Sequence, residues 1–592
     1  MKTNQKKEYT EAFDGFKGLD TSSPIGSGRL SELRNFKVLD DGSLLKRSGF
    51  RVLSSLPQEP RGVRVYSDGG EEVILAVIGN SLYRILLSDG SYTSSEVFST
   101  TEGRAGFFEA HGRLYIVDGA GIWRYTGGTS ITEASGYASL YAKDLRANEN
   151  VSPINESNKT NRPFNLLSSR IRIEYICEES SVGLLDVGIP LISIDGILLN
   201  GKVQDISGFS FTREKKGVLG NLECDRGTTV TLYVTVDKSG YEDSEFNSYT
   251  RTAVFDSFDA TRVFLYGGND ANRFYVSDPI DDETFELQKK LYGEIDRLYF
   301  GVGESLGFGG MESISGMCKL YDRMMIFSKN RSWFSSSLCE DEGKERHGVA
   351  LDVLSDICGC SSDDAVTLIG GATPITVSRG GIYKWSIDGN FEEEAVITRI
   401  SDKISSHITQ GFLRNAKVCY SRDTDELWFA DPTSQNGEVF VYNRKLDVWY
   451  IYDGISAEQL FETGAGMAFL DNGIIYLFDT EDSYDRLVDG ERDVEAVVAS
   501  GGFDFGAPFK KKHVCGAHIT CNLDGGSIKL SLDDGRALGD VEFDRSRASD
   551  IYAGAEFFDL KIRTSRTKCV RFELRALGRN RQRIYSAEFF AN

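Results

Sequence analysis

The chain has 592 residues and a formal net charge of −22, from 67 basic against 89 acidic side chains. Phe (36), Tyr (26) and Gly (62) are plentiful and Pro (10) is scarce, which excludes a disordered chain and predicts an all-β protein with many tight turns. Basic residues are interleaved with acids, so the clustered Lys and Arg that grip phosphates are missing, and any DNA near this protein is expected to slide past it.

At roughly 150 residues per unit the length predicts about three or four units. Residues 1–60 read as an extended N-terminal arm. Behind Lys6 and Lys7 there is no apolar stretch, so no signal peptide is expected. No segment reaches the roughly 18 apolar residues of a spanning helix. The expectation is a soluble chain, made in the cytoplasm, with no membrane anchor. Within the arm, residues 13–20 are turn-rich, Pro24 follows, residues 30–36 read as a short helix, and residues 40–50 as a turn leading into a strand.

Residues 61–143 open a repeat. Its phrase is a glycine or small polar turn followed by apolar and aromatic residues around a Tyr or Trp. It reads Gly79-Asn80-Ser81-Leu82-Tyr83, then His111-Gly112-Arg113-Leu114-Tyr115, then Gly121-Ile122-Trp123. It returns as Gly380-Gly381-Ile382-Tyr383-Lys384-Trp385 and Asn472-Gly473-Ile474-Ile475-Tyr476, with looser copies at Asp322-Arg323-Met324 and Glu438-Val439-Phe440. Each is a hairpin signal. Recurrence at blade-like spacing predicts a β-propeller of roughly six to eight blades, the first of them at 61–143. Trp123, Tyr383 and Trp449 are expected to pack between blades.

The repeat breaks at a polar, Asn-rich stretch, 144–168, followed by alternating strand-like runs such as Thr229-Val230-Thr231-Leu232-Tyr233. An inserted β-sandwich domain is therefore expected over 144–258, with the remaining blades over 259–485. No convincing long amphipathic helix is found; the best candidate spans 284–300 and is interrupted by Gly293. Residues 486–592 alternate again and form a C-terminal β-domain.

The chemistry-bearing residues are sparse. Five histidines stand at 111, 347, 407, 513 and 518. His513 and His518 are an odd offset apart, on opposite faces of a strand, so no metal pair is expected. Cys358 and Cys360 are too close for a zinc or redox pair, and the ten cysteines read as reduced core residues. Residues 301–310 are Gly-rich but lack a phosphate-loop ending. Residues 531–538 resemble the aspartate box of sialidase-like propellers without its closing aromatic, and read as a hairpin turn. Lys510, Lys511 and Lys512 read as a solvated edge. No catalytic, cofactor-binding or metal residues are assigned, no cofactor is expected, and the chain is expected not to be an enzyme.

Four ordered features resemble one family. The arm pairs Phe13-x-Gly15-x-x-Gly18-Leu19 with Leu33-Arg34-Asn35-Phe36, then Asp41-Gly42-Ser43-Leu44-x-Lys46-Arg47-x-Gly49. After the insert comes Gly267-Gly268-Asn269-Asp270-Ala271-Asn272-Arg273-Phe274-Tyr275-Val276-Ser277-Asp278-Pro279. Later, Gly359-Cys360 precedes Ile375-Thr376-Val377-Ser378-Arg379-Gly380, and Val441-Tyr442-Asn443 is followed by Trp449. In this order the chain, apart from its insert, resembles the propeller-containing tail nozzle or hub proteins of tailed bacteriophages, also called packaged-DNA stabilisation proteins. The resemblance implies a structural virion protein of the tail or neck, assembled in the bacterial host cytoplasm. It implies a homo-oligomeric ring, typically a hexamer, below the portal and adaptor proteins and beside other tail components. Double-stranded DNA would pass through the lumen without specific binding, and the ring would help retain packaged DNA. Two alternatives stay open: a receptor- or glycan-binding propeller at the tail, with the insert as reader, and a propeller glycoside hydrolase, which needs paired carboxylates or a metal in its central pocket.

Overall fold

The computed structural model describes residues 8–22, 28–135, 139–146, 169–176, 181–187, 189–212, 216–237, 239, 244–256, 261–277, 282–298, 300, 304–305, 313–335, 351–388, 391–533, 540–552, 554–562, 564 and 566–592. The chain is an all-β protein built on a seven-bladed β-propeller. Each blade is a four-stranded antiparallel meander, opening in turn at Gly62, Gly106, Arg251, Gly316, Val366, Lys417 and Gln459. These seven opening strands neighbour one another around the axis, and the seventh lies beside the first. Type I′ turns need two residues at positive φ. His111 (50°) with Gly112 (71°), and Asn472 (51°) with Gly473 (76°), meet that need and set the hairpins that the repeat announces.

Blade 7 supplies only three strands from its own region, and its fourth is Arg51–Ser55, which pairs with Ile474–Leu477. The ring is thus closed by the chain's early residues. The remainder of the expected arm is also paired. Tyr9–Phe13 lies antiparallel to Arg583–Ala591, and the hairpin of Phe36–Val38 with Leu44–Lys46 pairs with that same strand. The predicted helix at 30–36 is instead the strand Leu30–Arg34, running between Val448–Tyr452 of blade 6 and Ala496–Ser500. Leu30 and Leu33 are buried there. Tertiary burial overrides the modest helical preference of Leu-Ser-Glu-Leu-Arg.

The C-terminal unit is a β-sandwich whose two sheets both recruit these early strands. One sheet is continuous with blade 6, giving nine strands in a row. Phe13, Phe503, Phe572 and Phe589 interlock edge-on and stacked at its centre. Burial of such rings dominates the stabilisation, at roughly 25 cal/mol per Å² of apolar surface. A single apolar core runs from blades 4–7 into this sandwich.

The insert leaves after the last strand of blade 2, Ser130–Glu133, and returns at Arg251–Asp256. Its strands run from Ser139–Arg146 to Thr229–Val236, in sheets of five and three that share the buried Ile171, Ile173, Leu185, Val218, Val230 and Leu232. The sequence boundary at 258 therefore has to move back, because Arg251–Asp256 is the innermost strand of blade 3. Strand alternation alone does not say which sheet a strand joins. The candidate stretch at 284–300 does hold a helix, Asp282–Tyr292; it stops at Gly293, whose φ of 77° and bond to the Lys289 carbonyl form a left-handed cap.

Candidate functional site

The axis of the propeller carries a charge clasp. Arg104 leads into blade 2, Arg251 opens blade 3, Asp363 and Asp364 lead into blade 5, and Lys417 opens blade 6. Four blades therefore bring their charged lead-in residues to one end of the channel. Arg104 Nη2 donates to Asp364 Oδ1 at 2.7 Å and lies 2.8 Å from Asp363 Oδ2. Its Nη1 reaches Asp364 Oδ2 at 3.1 Å and Asp363 Oδ1 at 3.3 Å. Lys417 Nζ donates to Asp364 Oδ2 at 2.7 Å, and Arg251 Nε stands 3.5 Å from Asp363 Oδ1.

The two carboxyls have opposite fates. Burial pushes Asp363 up, reinforced by the neighbouring Asp364 charge, against the pull of Arg104 and Arg251. Burial also opposes charge on Asp364, but hydrogen bonding to Arg104, the Arg104 charge and Lys417 outweigh it and hold that carboxyl well below the usual range. Split carboxyls at a propeller axis are what an acid–base couple looks like. Here, however, all four carboxylate oxygens are engaged by cations. The arrangement works as a clasp joining four blades, with each carboxylate oxygen within reach of a cation.

A second charged cluster sits where the early residues meet blades 6 and 7. The Arg47 guanidinium, 2 % exposed, grips the fully buried Asp485 with two bonds of 2.8 and 2.9 Å. It also donates to Asn35 Oδ1 and to the carbonyls of Ser48 and Asp453. Asp485 belongs to the hairpin of Tyr484–Leu487 with Gly490–Asp493, whose Arg492 gives it a further bond of 2.8 Å. Beside this hairpin opens a pocket of about 230 Å³, lined by Phe50, Phe469, Asp471, Tyr476, Leu487, Arg492 and the turn at 434–437.

The residues weighed in the sequence scatter. His513 Nδ1 lies 3.0 Å from the Thr564 carbonyl and His518 Nδ1 lies 2.8 Å from Asp559, so the two face different partners. Burial lowers the pKa of both His111 and His407. Among the described residues no group of three or more His, Cys, Asp or Glu is disposed to hold a metal. Cys358 and Cys360 are free thiols, with burial pushing Cys360 up to about 12. Cys224 is disulfide-bonded, which corrects the expectation of ten reduced cysteines. The lysine run is not a uniform solvated edge, because Lys512 is buried. His347, the turn of the aspartate-box-like segment at 534–539 and most of the Gly-rich stretch lie outside the described residues. The clasp itself escaped sequence reading, since its five members are separated by more than three hundred residues and only the blade register unites them.

No helix among the described residues is long and apolar enough to cross a membrane. No family model matches the chain, and no curated protein matches it. Among solved structures, the chain is similar to BamB from Moraxella catarrhalis at 10 % identity and a TM-score of 0.30, covering 75 % of this chain and 96 % of that one. It is similar to a putative 6-phosphogluconolactonase from Bacteroides uniformis at 9 % identity and a TM-score of 0.32, covering 79 % and 98 %. A functionally unknown protein from Desulfotomaculum acetoxidans, at 9 % identity and a TM-score of 0.32, covers 72 % and 94 %.

Proposed function

We propose that this protein is a structural, non-catalytic component of a tailed-phage virion, assembling as a ring of the nozzle or hub type that forms part of the DNA exit path. The observation that carries this reading is where the family-like motifs fall. The arm motifs and the one ending at Trp449 build the junction between propeller and sandwich, while the other two fall in blade 3 and at the start of blade 5. Gly18 sits at a φ of 76°, where a Cβ would stand 2.7 Å from Val448 Cβ, beside the Trp449 that ends the last motif. Gly49 packs where a Cβ would stand 1.8 Å from the Tyr484 carbonyl oxygen. Arg47 and Asn35 tie the arm motifs to the hairpin and to blade 6. The motifs therefore serve the body's integrity, and that is what a load-carrying conduit subunit requires.

The clasp bears on the two remaining points. Its saturated carboxylates weigh against the hydrolase alternative. It also spans one end of the propeller axis, so a duplex would pass between subunits and not down the axis of one propeller. The acidic excess suits a wall along which phosphates find nothing to hold them. The test is a phage that encodes this chain. With the protein tagged, gold labelling is expected at the neck or tail, and without it particles are expected to lose packaged DNA. Particles that stay unlabelled, or that retain DNA and infect normally without the protein, overturn the reading.

A further inference from the structure

Phe509 is the most exposed large apolar residue among those described, at 90 %, and it is not on a loose loop. The loop is braced from beneath by Lys512, whose Nζ donates to the carbonyls of Ala507 (2.7 Å) and Lys510 (3.1 Å). That ammonium lies 5.8 Å from the Tyr9 ring and 5.9 Å from the Phe505 ring. Asp504 holds the turn through Gly506 N at 2.9 Å, and Pro508 fixes the backbone just before the ring. Lys510 and Lys511 flank Phe509, both exposed. A rigidly displayed aromatic flanked by cations is the form of an interface anchor, since little conformational entropy is lost when it docks.

The same chain carries a complementary receptacle. The pocket beside the Tyr484–Leu487 hairpin is backed by the nearly buried Phe50, Phe469 and Tyr476 behind a polar mouth, and about 230 Å³ has room for one aromatic side chain and not for a larger ligand. Its surround keeps a small acidic excess to meet the two lysines: residues 479–493 hold seven Asp and Glu, and against them stand Arg486 and Arg492 of the same stretch and Arg47, Arg51 and Arg579 paired to it, leaving two acids over. Val488, at the hairpin tip next to the lining residue Leu487, is 61 % exposed. Anchor and receptacle sit at opposite ends of the sandwich. The strand Arg571–Leu577 begins next to Phe503, at the anchor loop, and ends at the turn where Arg579 pairs with Glu491 and Asp493 of the pocket hairpin. Seven residues of strand span about 23 Å. A chain therefore cannot seat its own Phe509, but a neighbour can.

We propose that Phe509, with Lys510 and Lys511, docks into the pocket beside the Tyr484–Leu487 hairpin of a second copy of this chain, giving a head-to-tail contact. Contacts between two different patches generate closed rings or open filaments, never an isolated two-fold pair. The inference rests on the ring reading above and supplies its subunit interface. Phe509→Ala is expected to abolish self-association of the purified full chain in sedimentation velocity while leaving its circular dichroism and melting temperature unchanged. Lys510→Glu with Lys511→Glu is expected to weaken assembly at least tenfold. Ser456 also lines the pocket, and mixing Phe509→Cys with Ser456→Cys under mild oxidation is expected to give a mixed disulfide, mapped by mass spectrometry and absent when either variant is combined with wild type. Wild type that stays monomeric, Phe509→Ala that assembles like wild type, or assembly without the mixed disulfide overturns the contact. So does a lysine variant that loses retention on duplex DNA but assembles normally, which would assign the tip to phosphates. Virion labelling without the cross-link removes this interface and leaves the ring reading; the cross-link without virion labelling does the reverse.

Discussion

Arg47→Met tests the junction that the functional reading depends on. The substitution keeps much of the volume and removes the fork. It deletes both bonds to Asp485, the bond to Asn35 and those to the Ser48 and Asp453 carbonyls. Removing one partner of a buried ion pair costs about 3–5 kcal/mol, because the other charge is left in a poor solvent. Asp485 keeps Arg492, whose side chain is 42 % exposed, and that places the expected loss at the lower end, about 3 kcal/mol. The closing strand Arg51–Ser55 begins four residues later, so the loss should be felt there first. Urea unfolding read by tryptophan fluorescence gives the magnitude, and amide exchange over residues 51–55 gives the location. The double substitution Arg47→Met with Asp485→Leu removes both charges and is expected to recover most of the stability. If Arg47→Met lies within 1 kcal/mol of wild type and exchange at 51–55 is unchanged, the arm is not what holds the ring closed and the reasoning fails.

Trp449→Ala is expected to cost about 3–5 kcal/mol, since the ring is fully buried against Phe429 and Tyr442 and its Nε1 donates to the Ile400 carbonyl; Trp123→Ala and Tyr383→Ala, both half-buried, should cost about 1–2 kcal/mol, and equal losses in all three would refute the burial pattern. Lys46 is buried beside Arg47, and burial pulls its pKa down to about 8 from 10.5. The unfolded chain thus binds this proton more tightly, so the cost of the buried charge is full below pH 8 and is relieved as pH rises towards 10.5. The stability of wild type relative to Lys46→Met is expected to improve over that window, and a pH-independent difference would refute it. Asp364→Asn is expected to destabilise by about 2 kcal/mol at neutral pH, because hydrogen bonds to both Arg104 and Lys417 are weakened. Asp364 is held below its ordinary 3.8, so that difference should be full above about pH 4 and shrink as pH falls further; a difference that grows in acid would refute the assignment.

The propeller was legible because its hairpin turns have a local cause. His111-Gly112 and Asn472-Gly473 must both take positive φ, and that demand is written in the residue types. The blade number was not, because the repeated phrase marks two different turns. His111-Gly112 opens the second strand of blade 2, whereas Gly121 leads into its third, so blade 2 announces itself twice. Blade 3, with Thr261–Tyr266 and Arg273–Val276, lacks the phrase. Within blade 5 the sequence drew attention to Tyr383, yet the fully buried ring is Trp385, whose Nε1 bonds Thr376 Oγ1. The arm was the larger misreading. Its short, Gly-punctuated strands look extended because all but Phe36–Val38, which pairs with the neighbouring Leu44–Lys46, have a partner more than four hundred residues away, and no local pattern records such a partner.

That pairing changes what the early residues can do. An arm lying on a surface can be lost with little harm to the body beneath it. These residues instead close blade 7, bridge blade 6 to the sandwich and bury Phe13, Leu19, Leu33, Phe36 and Phe50 in the common core. The propeller and sandwich are therefore coupled units: opening either one exposes apolar surface of the other. The clasp adds a second closure at the axis, where Arg104, Asp363, Asp364 and Lys417 fix blade 2 to blades 5 and 6 across the channel end. Both devices resist the same deformation, the parting of blades 7 and 1 or a splaying of the ring. In both places the charges are spent on holding elements together, Arg104 bridging Asp363 and Asp364 at the axis and Arg47 gripping Asp485 at the junction.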